Sequence, residues 1–354
     1  MKLYTTLSLL SLVERGISTA VRDYPTCAPQ NTVLRREWGS LTKFERRSYI
    51  DAVLCMQSRP SIIPEGEVPG AKTRFDDFTA VHANNTMSVH LSGVFLSWHR
   101  NFVWLWEQAL REECGYDGYQ PYWNWALWCE DLAGSPLFDG TETSLSGDGE
   151  YVDYGGYIVG GAELPHGTGG GCVTSGPFQN MTVNLGPYDF TLVFNGGLLP
   201  NWTDYTPHCL QRDLNNYIAT LYGNQTVVDY LLSQPDITSF QSTMSNISST
   251  TTDIGVHPGG HFSIGLALID FFASPSDPAF FLHHAMIDRM WTIWQGTDPD
   301  TRTNALNGTT VIFDPPGAEE VTLDTVQRWG VLGEEKRTEE LMDVEAGDFC
   351  YGYE

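Results

Sequence analysis

Asp277-Pro-Ala-Phe-Phe-Leu-His-His-Ala-Met-Ile-Asp-Arg-Met-Trp291 sets a histidine pair inside an apolar run whose spacing is helical rather than alternating. Asp277 supplies a helix cap, and Pro278 suits the first helical position, where its missing N–H costs nothing. The pair His283-His284 therefore falls near the start of a helix. A little upstream, His257-Pro-Gly-Gly-His261 spaces two imidazoles four residues apart. If that stretch is helical, both project from one face and can grip one ion. Pro258, Gly259 and Gly260 oppose a helix, so the turn has to be imposed by the fold or by a metal. The stretch reads as half of a metal site.

The chain has nine histidines, and seven of them fall into two groups on apolar segments. His82 and His90 lie in a second helical candidate, from about Phe75 to His90. His99 lies near the start of Phe95–Cys114, which is apolar around most of its circumference and so reads as a central helix. Pro121-Tyr-Trp-Asn-Trp125 reads as an aromatic wall, and His166 and His208 as surface histidines. Triads of histidine without matching Asp, Glu or Cys suit copper, with a three-histidine zinc site as the rival. Two triads on helices imply a dinuclear centre inside a bundle, and the Glu-x-x-His pairing of di-iron bundles is absent.

With 354 residues, 41% of them hydrophobic, the chain can bury a sizeable core, and one large domain is favoured over two. A formal net charge of −25 argues against nucleic acid or an anionic membrane as partner and in favour of small uncharged substrates. Residues 1–20 combine a positive start, a short apolar run and small residues, as in a secretory signal peptide, although Glu14 and Arg15 interrupt it. Six Asn-x-Ser/Thr sequons, at Asn84, Asn180, Asn201, Asn224, Asn246 and Asn307, also point to export. No later stretch is apolar for long enough to span a bilayer, so a soluble secreted protein is expected. The seven cysteines include no Cys-x-x-Cys pair; disulfides are the expected use, and the odd count leaves at least one over.

Elsewhere, residues 35–58 read as a first helix with Ser40 as its cap, and residues 60–71 as loop. Residues 133–210 are rich in Gly, Pro, Ser, Thr and Tyr and are expected to form loops with a few short strands, among apolar pieces such as Phe190–Phe194. Helical character returns at Cys209–Leu221 and Val227–Leu232, and residues 310–329 show strand-like alternation.

His82-x7-His90-x8-His99 with Phe95-Leu-Ser-Trp-His-Arg100, together with His257-x3-His261 and Asp277-Pro-x-Phe-Phe-x-His-His-x-x-x-Asp-Arg-Met-Trp291, resembles the two copper-binding regions of the tyrosinase, catechol oxidase and haemocyanin superfamily. The similarity runs over roughly residues 35 to 353, closes on Tyr351-Gly-Tyr353, and is strongest to secreted fungal short polyphenol oxidases. It implies a mainly α fold: a central antiparallel four-helix bundle around two copper ions, with long loops and a few short β-strands. Residues 21–354 would be a single copper domain with no C-terminal lid domain, the lid being either removed or not encoded. His82, His90 and His99 would bind one copper and His257, His261 and His284 the other, with His283 a neighbour or, alternatively, the ligand in place of His284. Phe280 would pack on the second copper's imidazoles. Phe271 would be a gate above the first, or an ordinary core phenylalanine. Phe262 and Pro258 would line the substrate pocket, and Asp288 and Arg289 would form a buried pair that orients the site.

The resemblance further implies that the partners are O2 and a small phenolic substrate, o-diphenols being oxidised to o-quinones while O2 becomes water. Two departures bear on this. Ser88 stands where many relatives have a cysteine that crosslinks to the second ligand. Pro258 stands where an Asn helps an upstream acid hold a water that deprotonates monophenols, and Asp253 is a weak substitute for that acid. The expectation is oxidation of o-diphenols or o-aminophenols with weak tyrosine hydroxylation. A tyrosinase with true monophenolase activity and a haemocyanin-like O2 carrier are the alternatives.

Overall fold

The computed structural model describes Cys27 and residues 32–159, 162–246 and 253–354; the signal reading of residues 1–20 lies outside them. Ten helices are described: α1 (Lys43–Ser58), α2 (Arg74–Val89), α3 (Phe95–Cys114), α4 (Trp125–Trp128), α5 (Asn216–Gly223), α6 (Gln225–Leu232), α7 (Ile237–Met244), α8 (Val256–Ile264), α9 (Ala279–Gly296) and α10 (Pro299–Arg302). The fold is mainly helical, and the strands among the described residues are only two to four residues long.

Local chemistry sets the helix ends. Thr42, not Ser40, caps α1: its hydroxyl accepts the Glu45 N–H at 3.2 Å while the Glu45 carboxylate accepts the Thr42 N–H at 2.7 Å. Thr73 and Asp76 repeat this reciprocal box at α2. Helix α3 has the bounds read from its apolar run and stops at Gly115, whose φ of 68° turns the chain out of the helix. Asp277 accepts the Ala279 N–H at 2.9 Å at the start of α9 and is clamped by both arms of Arg212 at 2.7 Å, with both side chains buried. The cap is thus also half of a buried ion pair.

The core joins α3 and α9. Trp106 and Phe281 stack at 4.0 Å with an 8° angle, and the Phe78 ring from α2 meets each of them edge-on. Helix α3 also packs on α1 and α2, and α8 lies against α5 and α9. Of these, α2, α3, α8 and α9 carry the two histidine groups, His90 being the residue that ends α2.

Val33–Arg35 pairs in parallel with Tyr351–Tyr353, and Cys27–Cys350 bonds beside this pair. Cys55–Cys114 ties α1 to the end of α3, Cys172–Cys209 holds the loop region, and Cys129 stays free and buried. Four readings change. Phe190–Phe194 is a 3-10 turn rather than a strand, residues 310–329 contribute only Val326–Gln327 as strand, the helix placed from Cys209 begins at Asn216, and α7 escaped notice. No helix among the described residues is long and apolar enough to cross a membrane.

Candidate dinuclear metal centre

In each half of the site the ring nitrogens converge. One ring nitrogen from each of His82, His90 and His99 lies within 4.8 Å of the others, and the same holds for His257, His261, His283 and His284. The two halves face each other, with the His99 and His284 rings stacked at 4.6 Å and the His90 and His257 rings nearly parallel at 6.4 Å.

Backbone carbonyls orient the first group. Nδ1 of His82 donates to Phe272 O at 2.8 Å, that of His90 to Thr86 O at 3.1 Å and that of His99 to Phe95 O at 2.9 Å. Each bond places the proton on Nδ1 and leaves Nε2 as a lone pair aimed inward. Among the described residues the Nε2 atoms of His82 and His99 are buried without a partner, a costly state unless an ion fills the gap between them.

In the second group, Nδ1 of His261 donates to Leu268 O at 2.6 Å, and Nδ1 of His257 meets Ser245 Oγ at 3.0 Å. Nε2 of His261 then lies 3.1 Å from Nε2 of His257 and 3.2 Å from Nε2 of His284. Three imidazole nitrogens crowd one point. Burial pushes the pKa of His82 down to about 3 and that of His261 to about 4, and it holds the other five well below the ordinary imidazole range. Neutral rings, all but His283 with a nitrogen free to face inward, are metal ligands in waiting.

His283 differs from the rest. Its Nδ1 accepts the Trp125 indole N–H at 3.0 Å and its Nε2 donates to the His257 carbonyl at 3.0 Å, so both nitrogens are committed. The glycines of α8 make room for this arrangement. A Cβ on Gly260 would lie 2.2 Å from the His283 ring, and one on Gly259 would lie 2.3 Å from the Tyr222 side chain on α5. Pro258 sits in the first turn of α8, where backbone N–H groups have no partner within the helix. The fold therefore imposes the helix that Pro-Gly-Gly opposes, and the glycines serve close approach.

Phe280 stacks on the His284 ring at 4.1 Å and meets the His82 ring at 5.2 Å, so one phenylalanine seals both halves. A pocket opens on the histidines, lined by Phe271, Phe190, Leu91, Pro258, Phe262, Leu268 and Ser245, among others. Phe271 stands 4.8 Å from the His90 ring. Asp253 is not brought in. It accepts the Gly255 N–H at 3.1 Å and lines a separate surface groove with Glu163, Tyr217 and Tyr222.

Asp288 and Arg289 do not form a buried pair. Arg289 is half-exposed and reaches the Glu354 carbonyl, because the next position along α9 points away from the core. Asp288 instead receives Arg100 Nε at 2.6 Å and the hydroxyls of Tyr351 at 2.6 Å and Tyr353 at 2.5 Å, with Arg35 at 3.5 Å. Arg100 was legible as the residue after His99; Arg35 carried no local signal, and neither did Ser245.

Comparison with known proteins agrees with this geometry. Residues 72–297 match the family described as the common central domain of tyrosinase. The chain is 47% identical to Tyrosinase P of Aspergillus terreus over 97% of its own length and 98% of that protein's. It is 45% identical to N-acetyl-6-hydroxytryptophan oxidase ivoB of Emericella nidulans, covering 98% and 99%. Among solved structures, a polyphenol oxidase mutant from Thermothelomyces thermophila superposes with a TM-score of 0.87 at 40% identity, over 93% of this chain and 91% of that one. Imidazole-only donors in two facing groups, on a chain that shares this much sequence and fold, make the protein a member of the tyrosinase family of oxidases, whose cofactor is the dinuclear type 3 copper centre that such histidine groups fit.

Proposed function

We propose that this protein uses O2 to oxidise o-diphenols to o-quinones, and o-aminophenols to o-quinone imines, and that it hydroxylates tyrosine poorly. His82, His90 and His99 would hold one copper, and His257, His261 and His284 the other. The bound metals supply two-electron exchange between the phenol and O2. Overall, two diphenols give up four electrons and four protons, and one O2 becomes two waters.

The chain's own residues do the rest. Carbonyls of Phe272, Thr86, Phe95 and Leu268 fix the ring directions, and Phe280 keeps water from the imidazoles. The commitment of both His283 nitrogens supports His284 as the ligand. Phe271, Phe262 and Pro258 shape an apolar mouth that accepts a flat ring.

The observation that carries the diphenol preference is Pro258 beside His257 in a pocket that has no carboxylate among its described lining residues. A monophenol needs a base to remove its proton, and Pro258 can neither hold nor orient one. The second reading, oxidation of a bulky monophenol, is favoured by the 45% identical relative, whose name gives N-acetyl-6-hydroxytryptophan as its substrate. We also propose that the protein is secreted and glycosylated. All six sequon asparagines are at least partly exposed, and three disulfides suit an oxidising compartment.

Copper analysis and oxygen uptake on catechol, o-aminophenol and tyrosine test the assignment. Rapid uptake on the first two with little on tyrosine is expected, and brisk tyrosine hydroxylation without a lag would overturn it.

A further inference from the structure

Four ring-to-ring steps of 4.8 to 5.8 Å lead outward from the first histidine group. Phe271 lies against His90, Phe190 against Phe271, Phe194 against Phe190 and Phe313 against Phe194. Exposure grows along the way. His90 is buried, Phe271 and Phe190 are half-buried, and Phe194 and Phe313 are 55% and 42% exposed. The outermost two rings stack nearly parallel, 17° apart, beyond Phe190, which is itself part of the pocket lining.

Two loops far apart in sequence are held so as to build this pair. Phe194 ends the 3-10 turn Phe190–Phe194, which Asp189 caps and which the Gly197 N–H closes onto Leu192 O at 2.8 Å. Phe313 has φ 66° and Asp314 φ 46°, a conformation bulky residues seldom adopt. The turn is pinned by Ile312 N–H to Met87 O at 3.0 Å, Phe313 N–H to Leu91 O at 2.9 Å and Thr309 N–H to Asp314 Oδ1 at 2.5 Å. Leu91, directly after His90, is itself at φ 46°. Backbone strain is spent on turning a phenylalanine toward water, which neither core packing nor metal binding requires.

We propose that Phe194 and Phe313 form an aryl subsite that holds a second aromatic ring of the substrate while its diphenol ring passes Phe271 into the pocket. The preferred substrates are then neutral or cationic o-diphenols with an aryl group on a short linker, not small polar catechols. Asp189, which caps the turn that ends at Phe194, and Asp314, next to Phe313 in sequence, in a chain of net charge −25, disfavour anionic substituents. The proposal rests on the o-diphenol reading of the pocket and adds a determinant outside it.

The test compares catechol with a catechol bearing a phenyl group on a two-carbon linker, in the wild-type holoenzyme and in Phe194→Ser and Phe313→Asn; asparagine tolerates the positive φ. The variants should raise KM for the phenyl-bearing substrate about three- to tenfold, the range expected for one aromatic stack. KM for catechol and kcat for both should stay within about twofold. A resorcinol with the same phenyl arm, titrated against the holoenzyme by tryptophan fluorescence, should show the same rise in Kd in the variants without turnover. Equal effects on both substrates, or unchanged resorcinol binding, would overturn the subsite. Should the wild type oxidise neither catechol while the variants still lose resorcinol binding, the subsite stands and the diphenol reading falls.

Discussion

The Trp125 indole N–H donates to Nδ1 of His283 at 3.0 Å, and this one bond turns a histidine in the metal cluster into a structural strut. The proton of His283 is thereby placed on Nε2, which holds the His257 carbonyl. His284→Ala should therefore lose about half of the bound copper, while His283→Ala should keep both ions with affinity weakened about 10- to 100-fold. Metal analysis after dialysis against graded chelator separates the two. Equal loss in both variants would refute the distinction.

Gly260 is expected to resist the substitution that most helices welcome. Alanine is better than glycine in a helix by about 1 kcal/mol, yet here its Cβ would lie 2.2 Å from the His283 ring. Gly260→Ala should lose about 1–3 kcal/mol in urea unfolding, because α8 and α9 have to separate. It should also release copper faster, whereas Gly296→Ala, with open space at its Cβ at the end of α9, should lose no stability and leave copper release unchanged.

Two buried carboxylates give opposite pH dependences. Burial pushes the Asp270 carboxyl up to about 6, against the bonds it accepts from the Tyr188, Ala273 and Phe272 N–H groups. A raised folded pKa means that the folded state holds the proton more tightly, so stability falls as pH rises from about 4 to about 6. The fall should be roughly 2–3 kcal/mol and should flatten in Asp270→Asn. For Asp288, burial acts upward as well, but the guanidiniums of Arg100 and Arg35 and the hydroxyls of Tyr351 and Tyr353 hold the carboxyl below its usual range. That contribution is present above about pH 4 and is lost as pH drops through the depressed value. Urea midpoints measured between pH 3 and 8 should thus peak in mild acid. Asp288→Asn should cost about 3–5 kcal/mol near neutrality, since buried Arg100 loses its counter-charge while Arg35 keeps Glu107.

Pro258→Asn tests the source of the diphenol preference. The position lies in the first turn of α8, so the fold should tolerate the exchange. The new amide can hold a water beside His257, and the ratio of tyrosine hydroxylation to catechol oxidation should rise by about tenfold or more. An unchanged ratio in a variant with full copper content would place the block elsewhere.

The parts legible in the sequence are those written in local spacing. The histidine groups, the bounds of α3 and the Asp277 cap follow from periodicity and from motifs a few residues long, and the place of Phe280 follows from the family resemblance. The parts that were not legible depend on partners distant in sequence. Asp288 and Arg289 are neighbours in the chain, yet the helix sends one inward to Arg100 and Arg35 and leaves the other outside. Ser245 reaches His257 across 12 residues, from the end of a helix the apolar pattern did not reveal. Ser40 reads as the cap of α1 in the sequence, and the reciprocal bond between Thr42 and Glu45 moves the cap two residues on.

Asp288 finally ties the site to the order in which the chain is made. All of the clustered histidines, from His82 to His284, leave the ribosome before Tyr351 and Tyr353, the first of which lies 63 residues beyond Asp288. Until those two hydroxyls arrive, the carboxylate that pins α3 to α9 is only partly satisfied, and the strand paired with Val33–Arg35 does not exist. A nascent chain thus carries every imidazole of the centre before the hydroxyls that complete the bonds of Asp288, so copper loading should follow the emergence of Tyr351 and Tyr353 rather than precede it.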